Sequence, residues 1–164
     1  MKAPWILVPV LFLAIAPACQ NNPAPSASGA ASAVAIGDDE CATCAMVVRE
    51  QPSPRGQLVR SDGTRQMFCS IGDLLQGLNA PSAHGKASRV FVETLDPKAD
   101  PAQTSTAQRP WKPADSASYV LGISRKGVMG TPVLAYATRA QAEVVAKGRN
   151  AKVYDWKGLT ETLR

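Results

Sequence analysis

Aromatic residues make up only 5% of this sequence, histidine occurs once, and no run of five or six lysines or arginines appears in it. Without a basic run, the net charge of +5, from 18 Lys+Arg against 13 Asp+Glu, is scattered along the chain. A pI near 9.2 then gives no argument for a nucleic-acid partner and only a bias toward weakly acidic ones. The scarcity of aromatics beside 13 prolines and 12 glycines makes the chain loop-rich, yet a hydrophobic content of 45% excludes wholesale disorder. At 164 residues there is room for one ordinary domain or two small ones, which excludes a large multidomain enzyme. A Ser-His-Asp mechanism lacks support, because no nucleophile-elbow motif accompanies the single histidine, His84.

What is present begins with an address. Lys2 supplies a short positive region and residues 5–15 are almost wholly apolar, too short for a spanning helix of about 20 residues and laid out as a secretory signal. The stretch ends Ile15-Ala16-Pro17-Ala18-Cys19, which resembles a bacterial lipoprotein signal whose cysteine is lipidated and becomes the new N-terminus; simple cleavage after Ala18 is the alternative. Removal of residues 1–18 takes away Lys2 alone, leaving 17 − 13 = +4. Residues 20–36 contain Asn, Pro, Ala, Ser and Gly with no charge, a composition expected to act as a tether. Gln20 and Asn21 after the cysteine, by resemblance to bacterial sorting rules, imply transport to an outer membrane on the periplasmic side.

From Gly37 onward charged residues appear and β-like runs alternate with turn signals. Residues 57–60 and 65–69 flank Ser61-Asp62-Gly63 and read as a hairpin. Ser70 with Asp73 three residues on opens an amphipathic helix through Leu74, Leu75 and Leu78 that ends near Asn79-Ala80-Pro81; a strand follows over 89–95. The order then repeats: a strand over 118–124, a Gly-rich turn over 125–131, a strand over 132–137, a helix opened by Thr138 and Gln141, and a last strand over 152–156. The expected organisation is a signal at 1–18, a lipidated cysteine and tether at 19–36, a first ββαβ unit at 37–97, a connector at 98–117 and a second ββαβ unit at 118–164.

The chemistry concentrates in Glu40-Cys41-Ala42-Thr43-Cys44-Ala45-Met46. Two thiols and a thioether at this spacing can converge on one ion if the chain turns, and soft sulfur at low coordination number selects Cu(I). No His follows Cys44, so c-type haem attachment fails; a closed zinc site would have to recruit Cys69 and His84 from afar. A thioredoxin-like pair opens a helix after a strand, whereas this motif precedes the first strand. A Cys41-Cys44 disulfide is the plainest use of the pair in an oxidising compartment. Spacing alone leaves copper site, disulfide or redox pair, and zinc site open. Met67 and Cys69 alternate on one strand and share a face, which reads as core, with Cys69 a further candidate ligand. His84, in Pro81-Ser82-Ala83-His84-Gly85, reads as an exposed turn and a weaker candidate still. Met129 lies in Lys126-Gly127-Val128-Met129-Gly130, a turn too glycine-rich for ordinary core, and is a candidate fourth sulfur.

These elements together resemble the NosL family of lipid-anchored copper chaperones associated with assembly of nitrous oxide reductase. The resemblance is carried by Cys19, by the CxxCxM of Cys41, Cys44 and Met46, by Val47-Val48 and Pro54-Arg55-Gly56-Gln57, by Phe68-x-Ser70-x-x-Asp73, by Trp111, Ala114 and Ala117-Ser118-Tyr119-Val120, and by Met129-Gly130-x-Pro132. It implies a NosL/MerB-like α+β fold of two ββαβ units, Cu(I) as cargo, no enzymatic activity, and delivery to nitrous oxide reductase with membrane-bound maturation partners. The rival expectations are a thiol-disulfide oxidoreductase using Cys41 and Cys44, a carbon-metal lyase by fold resemblance to organomercurial lyase, and a structural lipoprotein with a disulfide.

Overall fold

Two side-chain caps decide where the main helices begin. Ser70 is extended, and its Oγ accepts from Asp73 N at 3.1 Å, opening α1 (Ile71–Asn79); Thr138 Oγ1 accepts from Gln141 N at 3.3 Å, opening α2 (Arg139–Ala146). The computed structural model describes residues 32–52, 54–128 and 130–164. The expected signal, Cys19 and most of the expected tether therefore lie outside the described residues, as does Met129.

Around these helices the chain forms two antiparallel sheets. β1 (Gly56–Arg60) pairs with β2 (Arg65–Phe68), Gln57 standing opposite Met67, and on its other side with β3 (Ala87–Glu93). β5 (Ser118–Leu121) is likewise central, between β6 (Val133–Tyr136) and β7 (Lys152–Tyr154). Strand orders β2-β1-β3 and β6-β5-β7 are one topology used twice, so the fold is α+β with two ββαβ units.

Each unit carries an addition that local pattern did not announce. In the segment expected as a connector, β4 (Trp111–Pro113) joins the first sheet beside β3, and a 3-10 turn follows at Ala114–Ser116. The strand expected over 152–156 stops at Tyr154. Asp155 Oδ1 accepts from Gly158 N at 2.7 Å and caps α3 (Trp156–Thr162), so the cap overrides β propensity at Trp156. The strand expected over 118–124 ends at Leu121, because Gly122 turns the chain at φ 101, where a Cβ would stand 3.1 Å from Asn150 O.

Strand β6 is buried on both faces. Val133 and Ala135 join the larger core of β1, β2, α1 and α3, while Leu134 and Tyr136 pack with Val145 of α2. Gly77 lets α1 lie directly on β2, since a Cβ there would meet the Phe68 ring at 2.3 Å. The last part of the expected tether is not free. Ser32 O accepts from Arg65, Val34 exchanges backbone bonds with the Gln57 amide, and Ile36, 5% exposed, does the same with Gln108. Two carboxamides satisfying extended backbone dock a segment whose composition gives no strand signal. Among the described residues no helix is long and apolar enough to cross a membrane.

A buried charge pair joins these parts. Arg55 and Glu93 are both 0% exposed; Nη2 donates to Oε1 at 2.7 Å and Nε to Oε2 at 2.8 Å. The remaining guanidinium hydrogens reach Arg49 O, Thr106 O and Ala107 O, and Glu93 also accepts from the backbone N of Arg55 and of Arg109. Removing one partner strands a buried charge, so Arg55→Met and Glu93→Gln should each cost about 3–5 kcal/mol in denaturant unfolding. The Arg55→Met/Glu93→Leu double variant should lose clearly less than the sum; simple additivity would show that the two charges are not coupled.

Candidate metal centre

The Cys-x-x-Cys-x-Met segment folds as a loop closed on itself and stitched to β2. Cys41 N donates to Met46 O at 2.8 Å, Ala45 N to Cys41 O at 2.8 Å, and Val48 N to Asp39 O at 2.9 Å. Ala45 supplies the reversal at φ 60, a left-handed conformation that a non-glycine residue adopts only when its surroundings impose it. Glu40 bridges Val47 and Cys41 bridges Met67, and Ala42 N donates to Met67 O at 2.9 Å. This last contact brings the loop beside the end of β2, where Cys69 follows Phe68.

Three thiols meet there. Cys44 Sγ lies 3.5 Å from Cys69 Sγ, and Cys69 N donates to Cys41 Sγ at 3.3 Å. Ligand atoms of Cys41, Cys44, Cys69 and Asp73 all fall within 4.8 Å of one another. Metal–sulfur bonds of roughly 2.3 Å place the sulfurs of one ion about 4 Å apart, so only small inward shifts separate this arrangement from a coordination shell. Asp73 is delivered by helix capping: Ser70 Oγ donates to its Oδ2 at 2.9 Å, and its own carbonyl accepts from Thr43 Oγ1 at 3.1 Å. The motif turn and the start of α1 are thereby tied together.

Burial is uneven across the cluster. Cys41 and Cys69 are buried, whereas Cys44 and Asp73 are half-buried, leaving one open side. All three thiols are free, so the disulfide expected as the plainest use of Cys41 and Cys44 is not formed in this structure. Burial pushes the Cys41 thiol up, but hydrogen bonds from the backbone of Cys69, Thr43 and Cys44 outweigh it and hold Cys41 below its ordinary value. Burial, and then the hydrogen bonds and negative charge of the other two sulfurs, push Cys69 far up. A crowded set in which one thiolate forms readily and another is opposed suits a thiophilic cation, which replaces protons that are otherwise hard to remove.

Met46 is half-buried and packs on the same core. With Cys69, Asp73, Gly127 and Val128 it lines a cavity of about 20 Å³, room for one water-sized body. Gly127 and Val128 are chain neighbours of Met129, which itself lies outside the described residues. His84 stands elsewhere: its Nδ1 lies 2.9 Å from Asp62 Oδ2 and 3.1 Å from Thr64 Oγ1, at the turn between β1 and β2. That turn and Cys69 sit at opposite ends of β2, so His84 is not brought to the sulfur cluster and makes exposed contacts at the turn. Cys69, read from alternation as a core neighbour of Met67, is buried as expected but also completes the sulfur triangle. Asp73 entered the sequence reading as a helix cap and as part of the run Phe68-x-Ser70-x-x-Asp73, not as a ligand. Its place in the cluster follows from Ser70 being the cap immediately after Cys69, a signal that the sequence contains.

Residues 33–163 match the NosL family model. The copper-binding lipoprotein NosL of Stutzerimonas stutzeri is 27% identical over 129 residues, which are 76% of this chain; the chain spans 64% of that relative's length. The crystal structure of the copper chaperone NosL from Shewanella denitrificans shares the fold with a TM-score of 0.64 at 27% identity, covering 80% of this chain and 97% of that one. A family model that runs from the docked segment before the cysteine motif to the end of α3 takes in every element described above, and the chain belongs to the NosL family.

Proposed function

We propose that this protein is a carrier of Cu(I), lipid-anchored outside the cytoplasm, and not an enzyme. The observation that carries the reading is the convergence of Cys41, Cys44 and Cys69 at one half-open place, with Met46 beside it. Three soft sulfurs favour a monovalent thiophilic ion over harder divalent cations. A thioether neighbour, neutral and a weaker donor than thiolate, suits a cargo that must leave again. Cys44 is the half-exposed member of the triad, so exchange begins there: an incoming sulfur of the acceptor adds to the ion as one thiolate is displaced and takes up a proton. The names of the two relatives, a copper-binding lipoprotein and a copper chaperone, support the same cargo.

The destination rests on the family resemblance: the copper sites of nitrous oxide reductase, reached with membrane-bound maturation partners. The address rests on the sequence before the folded part, with Cys19 as lipidation site on the periplasmic side and Gln20-Asn21 directing the anchor to the outer membrane. Met129 joins the ligand set in this reading, since residues on both sides of it border the metal cluster or the groove next to it.

Anaerobic titration of the reduced chain with Cu(I) against a chromophoric chelator should show one tight equivalent. Cys41→Ala, Cys44→Ala and Cys69→Ser should each weaken it by at least tenfold, about 1.4 kcal/mol, and Met46→Ala should weaken it less. Binding no tighter than that of free thiols would overturn the carrier reading. Cys19→Ser should abolish incorporation of labelled fatty acid and release the chain from membranes; a variant still in the membrane fraction would refute the anchor.

A further inference from the structure

The three thiols of the cluster are held in different ways. Cys41 Sγ accepts from the backbone N of Cys69 and is further engaged by the backbone of Thr43 and Cys44, whereas Cys44 Sγ faces Cys69 Sγ itself at 3.5 Å. A disulfide puts its two sulfurs about 2.05 Å apart, so a movement of roughly 1.5 Å joins this second pair. Pairing Cys41 with Cys44 instead would pull a buried sulfur off its backbone donors. Cys69 stands between the end of β2 and the cap of α1, with Ser70 extended beside it. Cys44 is on the freer side: half-buried, in the turn of the motif loop, one residue before the left-handed Ala45. Its approach to Cys69 therefore bends a loop and leaves sheet and helix as they are.

We infer that Cys44 and Cys69 form a reversible disulfide, a covalent modification of the metal site for which a small organic disulfide of the glutathione class is the oxidant. Cys44, the only one of the three thiols that is not buried, gives up its proton, and its sulfur attacks one sulfur of the organic disulfide. The organic S–S bond breaks, a mixed disulfide forms on Cys44, and one organic thiol leaves with a proton. The Cys69 sulfur then attacks the Cys44 sulfur, and the second organic thiol leaves with the proton that Cys69 loses. Two protein thiols are oxidised by two electrons, and the organic disulfide is reduced to two thiols. The consequence for cargo rests on the copper reading. The bond removes two of three thiol ligands, leaving Cys41 and Met46, so an oxidised chain no longer holds Cu(I) and a loaded chain resists oxidation. A dithiol reductant reopens the site. The pairing itself does not depend on copper.

The test uses the full chain with Cys19→Ser, which leaves the cluster thiols as its only cysteines. Reduced and metal-free, it is incubated with glutathione disulfide and digested with trypsin. The peptide ending at Arg49 carries Cys41 and Cys44, and residues 66–86 carry Cys69. The two peptides should be recovered linked, with fragment masses placing the bond at Cys44. Cys41→Ala should still form the link, while Cys44→Ala should slow it by about tenfold or more. A bond within the first peptide, a bond at Cys41, or mixed disulfides that never resolve would overturn the pairing. Fragment masses of the parent decide this even where a variant does not fold. The linked chain should then bind Cu(I) about a hundredfold more weakly than the reduced one and recover with dithiothreitol, and one equivalent of Cu(I) added first should slow linking by about tenfold. Equal Cu(I) affinity of linked and reduced chains would overturn the switch. A chain that forms the link but in its reduced state binds no Cu(I) would refute the carrier reading and leave the disulfide standing.

Discussion

Arg55 and Glu93 tie three parts of the chain to one buried point. The guanidinium holds β3 through the carboxylate, residues 106–107 through two carbonyls, and the 3-10 turn after the cysteine motif through Arg49 O. Taking two charges out of water is favourable only when both are fully matched, which makes this arrangement all-or-none. The motif loop inherits that rigidity. It is held behind by Arg49, ahead by Ile36 on the Gln108 amide, and at its side by the bridge from Cys41 to Met67. A sulfur site on a free loop would be a loose collection of thiols; here its backbone is held by the surrounding fold.

Cys69 shows why the cluster can be crowded and still stable. Three adjacent thiolates would repel one another, and the protein answers by keeping Cys69 protonated and favouring the anion at Cys41. The half-exposed Cys44 sits between the buried pair and solvent, so the cluster is reached from one side.

Local chemistry in the sequence was informative where local chemistry decides structure. Ser70, Thr138, the Ser61-Asp62-Gly63 turn and the doubled ββαβ order could be read because caps, turns and alternation act over a few residues. Alternation even put Cys69 on the face of Met67. What it could not supply was the partner across that face, because the Cys41–Met67 bridge joins residues 26 apart and has no short-range signature. β4 was hidden for a related reason: three residues ending in proline carry little strand signal until β3 offers an edge. In α3 the cap at Asp155 was present, but a β-favouring run masked it.

The buried arginines Arg55 and Arg125 are satisfied to different degrees. Evolution of a stable core removes unsatisfied charge, as the Arg55 pair shows, and a second guanidinium only a few strands away with two idle nitrogens does not belong to the same solution. A methionine there would fill the space at lower cost. The chain from this arginine runs on to Gly127 and Val128 at the wall of the sulfur cavity, so the least satisfied part of the core lies two residues from that wall.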